Sequence, residues 1–252
     1  MKQTLLLVSI FLALSVSAYG QRSATTKQIL HDFRGDSAAT ATKIPAATQR
    51  LVLSKVFRKY LTDGNKCNPR FEGDLAAARN AGQIAPSIID STTGSFTATG
   101  QTQTAYVISV AECNASHADN FGSDRLAIFS GQQLVANIDL DFKSSIVRKT
   151  DLDGDGIDEL LMTSGYMNQG TLTESAALLS FQNGTLQVIA DFETVTEDSC
   201  ASGFPGSTAR ASVISIVGAT PGKMPKLQQD NYAAGCNKTK RWKFVSTGKM
   251  EQ

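Results

Sequence analysis

From residue 95 onward the chain is a succession of short runs, rich in Val, Ile, Leu, Phe and Tyr, parted by Gly, Asn and Asp. Apolar runs of this length bounded by turn residues predict β-strands. They are "SFTAT", "TAYVISVAE", "RLAIFSG", "QLVANIDLD", "SSIVRKT", "ELLMTSGY", "SAALLSFQ", "TLQVIADFE", "ARASVISIVG" and "RWKFVST". In "SFQNGTLQV" the pair Asn183 and Gly184 can take the positive φ angles of a type I′ turn, which predicts a hairpin there. A weak internal repeat sets "FSGQQLVANIDLDF" from Phe129 against "FQNGTLQVIADFE" from Phe181, with a fainter echo in "WKFVSTGKM" near the end. A spacing of about fifty residues suits a four-stranded propeller blade, but three copies close no ring. The expected fold is mainly β with an N-terminal helical segment: an antiparallel sheet of blade-like (propeller-like) or sandwich units, its edges covered by the helix.

Upstream the pattern differs. Leu53, Val56, Phe57, Tyr60 and Leu61 recur at helical spacing, with Arg50, Lys55, Arg58 and Lys59 between them, which predicts an amphipathic helix opened by Pro45 and closed by Gly64. "GDLAAARNAG" at 73–82 suits a second, shorter helix. Residues 21–44 are rich in Ser, Thr and Ala without a period and read as a flexible leader; they hold His31 and the tripeptide Arg34, Gly35, Asp36, which chance supplies easily. At the start, Lys2 precedes an apolar run from Leu5 to Leu14 that fades into small residues, the pattern of a signal peptide cut near Gly20. The expected organisation is a signal peptide (1–20), a leader (21–44), a helical segment (45–94) and a β-rich domain (95–252). No run approaches the length of a membrane-spanning helix, so no transmembrane segment is expected.

Charge and cysteines narrow the classes. Without Lys2 the chain carries 23 basic and 23 acidic residues, and it shows no basic stripe, so nucleic acid is not an expected partner. Cys67, Cys113, Cys200 and Cys236 stand 46, 87 and 36 residues apart with no C-x-x-C pair. In an exported chain, secreted or periplasmic, this favours two disulfides, in any of three connectivities, over a zinc site. With only His31 and His117 available, histidine-assisted nucleophilic catalysis is not expected.

The densest chemistry is "DLDGDGIDELL", with five acidic residues and two glycines between Asp151 and Glu159. Counted from Asp151, carboxylates fall at positions 1, 3, 5 and 9 (Asp151, Asp153, Asp155 and Glu159), Gly156 sits where the chain must turn, and the carbonyl of Ile157 offers a further oxygen. Oxygen ligands in this number suit Ca2+ in a structural role. Position 12 is Met162 and the flanks read as strands, which excludes an EF-hand. Asp158 at position 8 is expected to face solvent.

At these residues the sequence resembles the calcium loop of the FG-GAP and VCBS repeat family, whose pattern runs D-x-[DN]-x-D-G-x-x-[DE] into a strand. Asp151, Asp153, Asp155 and Glu159 match it position by position, and Leu160 and Leu161 match the strand. The resemblance implies propeller-like blades, an extracellular recognition or structural role, and no reaction. The expected function is therefore an exported, calcium-stabilised, non-enzymatic module for a protein or glycan partner. The alternative is a secreted hydrolase using two carboxylates as acid and base, with Asp74, Asp90, Glu112, Asp139, Asp141, Glu174 and Glu193 as candidates. Two of them sharing one cleft would favour it. Sequons at Asn114, Asn183 and Asn237 are read as chance.

Overall fold

The structure is a computed structural model that describes residues 27–35, 43–56, 86–109, 124–140, 145–220, 222–237 and 239–248. It is mainly β: two antiparallel sheets and one helix, with no closed barrel among the described residues.

The smaller sheet is a meander of β2 (Ser87–Gly94), β3 (Gln103–Ser109), β4 (Asp124–Ser130) and β5 (Gln133–Leu140), each paired with its neighbour in sequence. The larger, eight-stranded sheet runs β12 (Lys243–Gly248), β11 (Lys226–Gly235), β10 (Thr208–Val217), β9 (Gln187–Asp198), β8 (Thr171–Ser180), β7 (Glu159–Asn168) and β6 (Ser145–Thr150), with β1 (Lys27–Asp32) beside β10. β10 is shared: Ala209–Ala211 pair with β9, and Val213–Val217 pair with β1. β1 thus fills the gap that opens where β9 leaves its neighbour.

The apolar pattern explains the layering. The first five residues of β7 and the last five of β8 are buried on both faces, so their apolar residues run without alternation, as buried strands do. Leu160, Met162, Ala177 and Leu179 point towards the small sheet, where they meet Val107, Leu126, Ile128, Phe96 and Phe181. Leu161, Ala176 and Leu178 point the other way and share a cluster with Ile214, Ile216, Leu227, Phe192, Leu30 and Phe33. The large sheet therefore folds over on itself. The helix α1 (Ala46–Val56) lies on the outer face of the small sheet through Val52, against Ile88, Ile108, Ala127 and Phe129. Burying each such Leu, Ile or Phe contributes about 1.5–3 kcal/mol.

Several expectations are corrected. The leader is not uniformly flexible: Lys27–Asp32 is a strand, because Leu30 and Phe33 are 1% and 4% exposed in the larger core. The segment from 45 to 94 ends in β2. The helix covers a sheet face rather than an edge, and within it the buried residue is Val52, with Leu53 and Val56 half-buried beside it. The exposed edges of β2 and β6 instead meet one another: the Ile146 N–H donates to Asp90 Oδ2 at 2.9 Å and Lys149 Nζ to the Thr93 carbonyl at 2.7 Å. Phe57 onward in the helix, the 73–82 segment, Cys67, Cys113 and His117 lie outside the described residues.

"SFTAT" is a loop. The Phe96 and Thr97 N–H groups, which a strand would give to a neighbour, both donate to Gln103 Oε1 at 2.9 Å, and the Thr97 carbonyl accepts from the Asn183 N–H at 2.9 Å. Asn183 and Gly184 do take positive φ, +57° and +74°. They sit in a six-residue connection, since the last paired residues are Ser180 and Gln187. The two-residue turn lies elsewhere, at Gln169 and Gly170 (φ +47° and +79°), between paired Asn168 and Thr171. The two repeat copies fall in different sheets, the first on the β4–β5 turn and β5, the second on the connection before β9 and the first half of β9. β11, "KLQQDNYAAG", carries too little apolar signal to be read as a strand, yet pairs along its whole length with β10.

Candidate metal loop and clefts

The acidic stretch connects β6 to β7. Asp151, Asp153 and Asp155 converge: one carboxylate oxygen from each lies within 4.8 Å of the others. Their carboxylates also organise the turn. The Gly154 and Gly156 N–H groups donate to the two oxygens of Asp151 at 2.8 and 3.1 Å, the Asp155 N–H to Asp153 Oδ1 at 3.1 Å, and the Ile157 N–H to Asp155 Oδ1 at 2.7 Å. Gly154 and Gly156 have φ of +79° and +83°, the left-handed region that glycine enters without strain. Three carboxylate oxygens at this spacing could hold a metal ion.

Glu159 stands outside that group of three. It is 3% exposed at the start of β7, and its Oε2 accepts from the Leu152 N–H at 2.9 Å. Burial pushes its carboxyl up to about 7; the Leu152 hydrogen bond opposes this, while Asp153, Asp155 and Asp151 add to it. The Ile157 side chain is buried and anchors the loop in the core.

Asp158 does not face solvent. Its Oδ2 accepts from the Ser95 N–H at 2.8 Å and lies 3.7 Å from Lys149 Nζ, and its own N–H donates to the Ser95 carbonyl at 2.6 Å. A Cβ on Gly94 would stand 2.4 Å from that oxygen. Nearby, Thr99 Oγ1 donates to the Asp155 carbonyl at 3.1 Å, and the Gly222 N–H donates to the Asp153 carbonyl at 2.7 Å. The acidic loop is therefore clamped to the β2–β3 connection of the other sheet. Sequence reading missed these contacts because the partners are distant in the chain.

Of the catalytic candidates, Asp90 serves the β2–β6 joint. Asp139 lies 3.7 Å from Arg125 and lines a cleft of about 370 Å³ that also holds Asp191. Glu193 lines a larger cleft of about 810 Å³ between β9 and the β10–β12 ladder. Glu174 lies against Gly165. Asp74, Glu112 and Asp141 fall outside the described residues.

A disulfide joins Cys200 to Cys236. This rules out the two connectivities that pair either with Cys67 or Cys113. Arg34, from the tripeptide, is bound at home: its guanidinium donates to Asp32 at 2.9 and 2.6 Å and lies over the Tyr232 ring, and its carbonyl accepts from Trp242 Nε1. His31 packs edge-on against Phe33, and burial, with Arg148 nearby, holds its pKa below the usual histidine value. Among the described residues no helix is long and apolar enough to cross a membrane. Comparison with protein-family models, with curated proteins and with solved structures finds no match to this chain.

Proposed function

We propose that this chain is an exported, calcium-stabilised, non-enzymatic binding module of the FG-GAP and VCBS type, acting outside the cytoplasm on a protein or glycan partner. The observation that carries the reading is the convergence of Asp151, Asp153 and Asp155 in a loop pinned through Asp158 to the other sheet. When bound, the ion would neutralise the three carboxylates and tie the two sheets at their joint. The protein's own residues hold the turn in shape, so the role is structural rather than catalytic. In this reading the four-stranded meander and the half-sheet behind it form a sandwich-like unit. Melting in calcium and in chelator, with a pull-down from the protein's own cell envelope in each condition, tests it; identical melts and identical captures would refute it.

One observation favours the rival, a secreted hydrolase: Asp139 and Asp191 line one cleft. New reducing ends released from envelope polysaccharide, and lost with Asp191→Asn, would establish that reading instead.

A further inference from the structure

We propose that the cleft between β9 and the β10–β12 ladder binds a neutral saccharide chain. This rests on the reading of the chain as a binding module and names the chemistry of its partner. The cleft exists because β9 bulges. Its register against β8 steps from Phe192 opposite Ala176 to Thr196 opposite Glu174, so four residues of β9 are spent against two of β8. Bulges of this kind re-aim side chains and end pairing. β9 rejoins β10 only from Thr196, and the gap opens into the space of about 810 Å³, within the range of small-molecule sites.

Its floor is polar and fixed. Ser212, 2% exposed, donates to Asn231 Oδ1 at 2.9 Å. The Gln229 amide donates to Ser212 Oγ at 2.9 Å, to Asn231 Oδ1 at 3.1 Å and to the Thr194 carbonyl at 2.9 Å. Asn231 in turn donates to Ser246 Oγ at 3.3 Å. The bulge removes the Thr194 carbonyl from the ladder, and one donor would satisfy it. The network runs further than that need, across three strands to Ser246. With its amide hydrogens committed, Gln229 keeps its carbonyl oxygen for an incoming donor, and Ser246 keeps its hydroxyl hydrogen.

The lining selects the ligand. A sugar hydroxyl both donates and accepts, which matches a floor of amides and hydroxyls held by strands. Asp191, Glu193 and Glu197 on β9 against Arg210 alone make the walls net acidic, which disfavours an anion. A cationic peptide would want a carboxylate at the bottom, where Ser212 and Gln229 lie instead. Val245, 62% exposed, offers apolar surface to the C–H face of a sugar ring. Glu193 and Arg210 are exposed and take part in none of the ion pairs among the described residues, so both are open to hydroxyls.

The test is an NMR titration of the chain from Gln21 to Gln252 with unbranched hexasaccharides of glucose, xylose, mannose and N-acetylglucosamine, and with hexalysine, each in calcium and in chelator. The expected result is saturable shifts at residues 191–197, 210–212 and 229–231 with at least one saccharide. Glu193→Gln, which leaves the floor network intact, should weaken binding about tenfold, as a hydrogen bond to a charged acceptor is exchanged for one to a neutral amide, without moving the melting point. No saccharide response at about 10 mM, a response to hexalysine alone, or unchanged affinity in Glu193→Gln overturns the proposal. Saccharide binding that persists when the melts show no calcium effect keeps this site and fails only the calcium reading. A folded, calcium-responsive chain that binds no sugar fails this site alone.

Discussion

Replacing Asp155 or Asp158 with Ala separates a metal-binding role from a structural one, although the two residues stand three apart in the same loop. The carboxylate oxygens of Asp151, Asp153 and Asp155 lie within 4.8 Å of one another. At that distance two unit charges repel by about 0.9 kcal/mol in water-like surroundings and about 3.5 kcal/mol at an effective dielectric constant of 20. Asp151 and Asp155 are exposed, so the smaller figure applies, about 3 kcal/mol over three pairs before the N–H donors of the turn offset part of it. A divalent cation that binds only the folded loop relieves this. At free calcium a hundredfold above the dissociation constant the stabilisation is about 2.7 kcal/mol, which for a chain of this size raises the melting temperature by about 5–10 °C.

Asp155→Ala removes a proposed ligand and should abolish most of the difference between melts in calcium and in chelator. Asp158→Ala removes the acceptor of the Ser95 N–H and the partner of Lys149. It should lower both melts, by about 1–3 kcal/mol, and leave the difference between them intact. Reading the difference cancels any general damage done by either substitution. The assay is calorimetry of the parent and both variants in calcium and in chelator. A parent that melts identically in both, or a calcium increment lost in Asp158→Ala and kept in Asp155→Ala, refutes the assignment of ligands.

Four further outcomes are expected. The denatured, unreduced protein from an oxidising compartment should show no free thiol, because Cys200 and Cys236 are joined and leave Cys67 and Cys113 only each other; labelling of two cysteines by a thiol reagent would contradict this. Replacing Cys200 and Cys236 together by Ser should cost about 4 kcal/mol in denaturant unfolding, the loop-closure entropy of a 36-residue separation. Burial raises the Asp230 carboxyl, but hydrogen bonds from Lys27, Thr247 and Gln228 outweigh it and hold the folded value below 3.8. The stability this residue contributes is therefore present above pH 3.8 and lost as pH falls through the lower folded value; Asp230→Asn should destabilise the chain at pH 7 and flatten its acid limb, and an unaltered pH profile would be the contrary result. Gly94→Ala, whose Cβ would lie 2.4 Å from Asp158 Oδ2 and 2.8 Å from Lys149 Cδ, should lower the melt in calcium and chelator alike; a variant as stable as the parent would show that the clamp at 94–96 is loose.

What could be read from the sequence was set by how local each signal is. "ELLM" and "AALLS" announce strands because their own residues fill both cores. The acidic loop is legible because its carboxylates bond N–H groups two to five residues away, within the stretch itself. β1 and β11 were missed for the opposite reason. Lys27–Asp32 is a strand only because β9 leaves β10 free at Val213, and "KLQQDNYAAG" is one only because β10 offers it a full register. Asp158 was misassigned by counting positions in the loop alone, when its partner Ser95 is 63 residues away. "SFTAT" shows the converse error: its composition suits a strand, but Gln103 and Asn183 take the hydrogen bonds a strand would need.

The same long-range contacts decide how an ion in the loop would act on the rest of the molecule. The Asp153 carbonyl already accepts from Gly222, the Asp155 carbonyl from Thr99, and Asp158 from Ser95, so the loop joins the turn after β10, the β2–β3 connection and β7 at one place. Directly behind Ser95, Phe96 is fully buried between the two sheets, and Thr97 bonds the connection that leads from Phe181 into β9. Charge repulsion in the loop thus bears on residues that seat one sheet on the other, and relieving it tightens the whole joint. β9, which bulges to form the polar cleft, starts from the connection that Thr97 holds. Calcium at the loop would in this way steady one wall of the cleft without touching it, which is why the saccharide titration is run in calcium and in chelator rather than in one buffer.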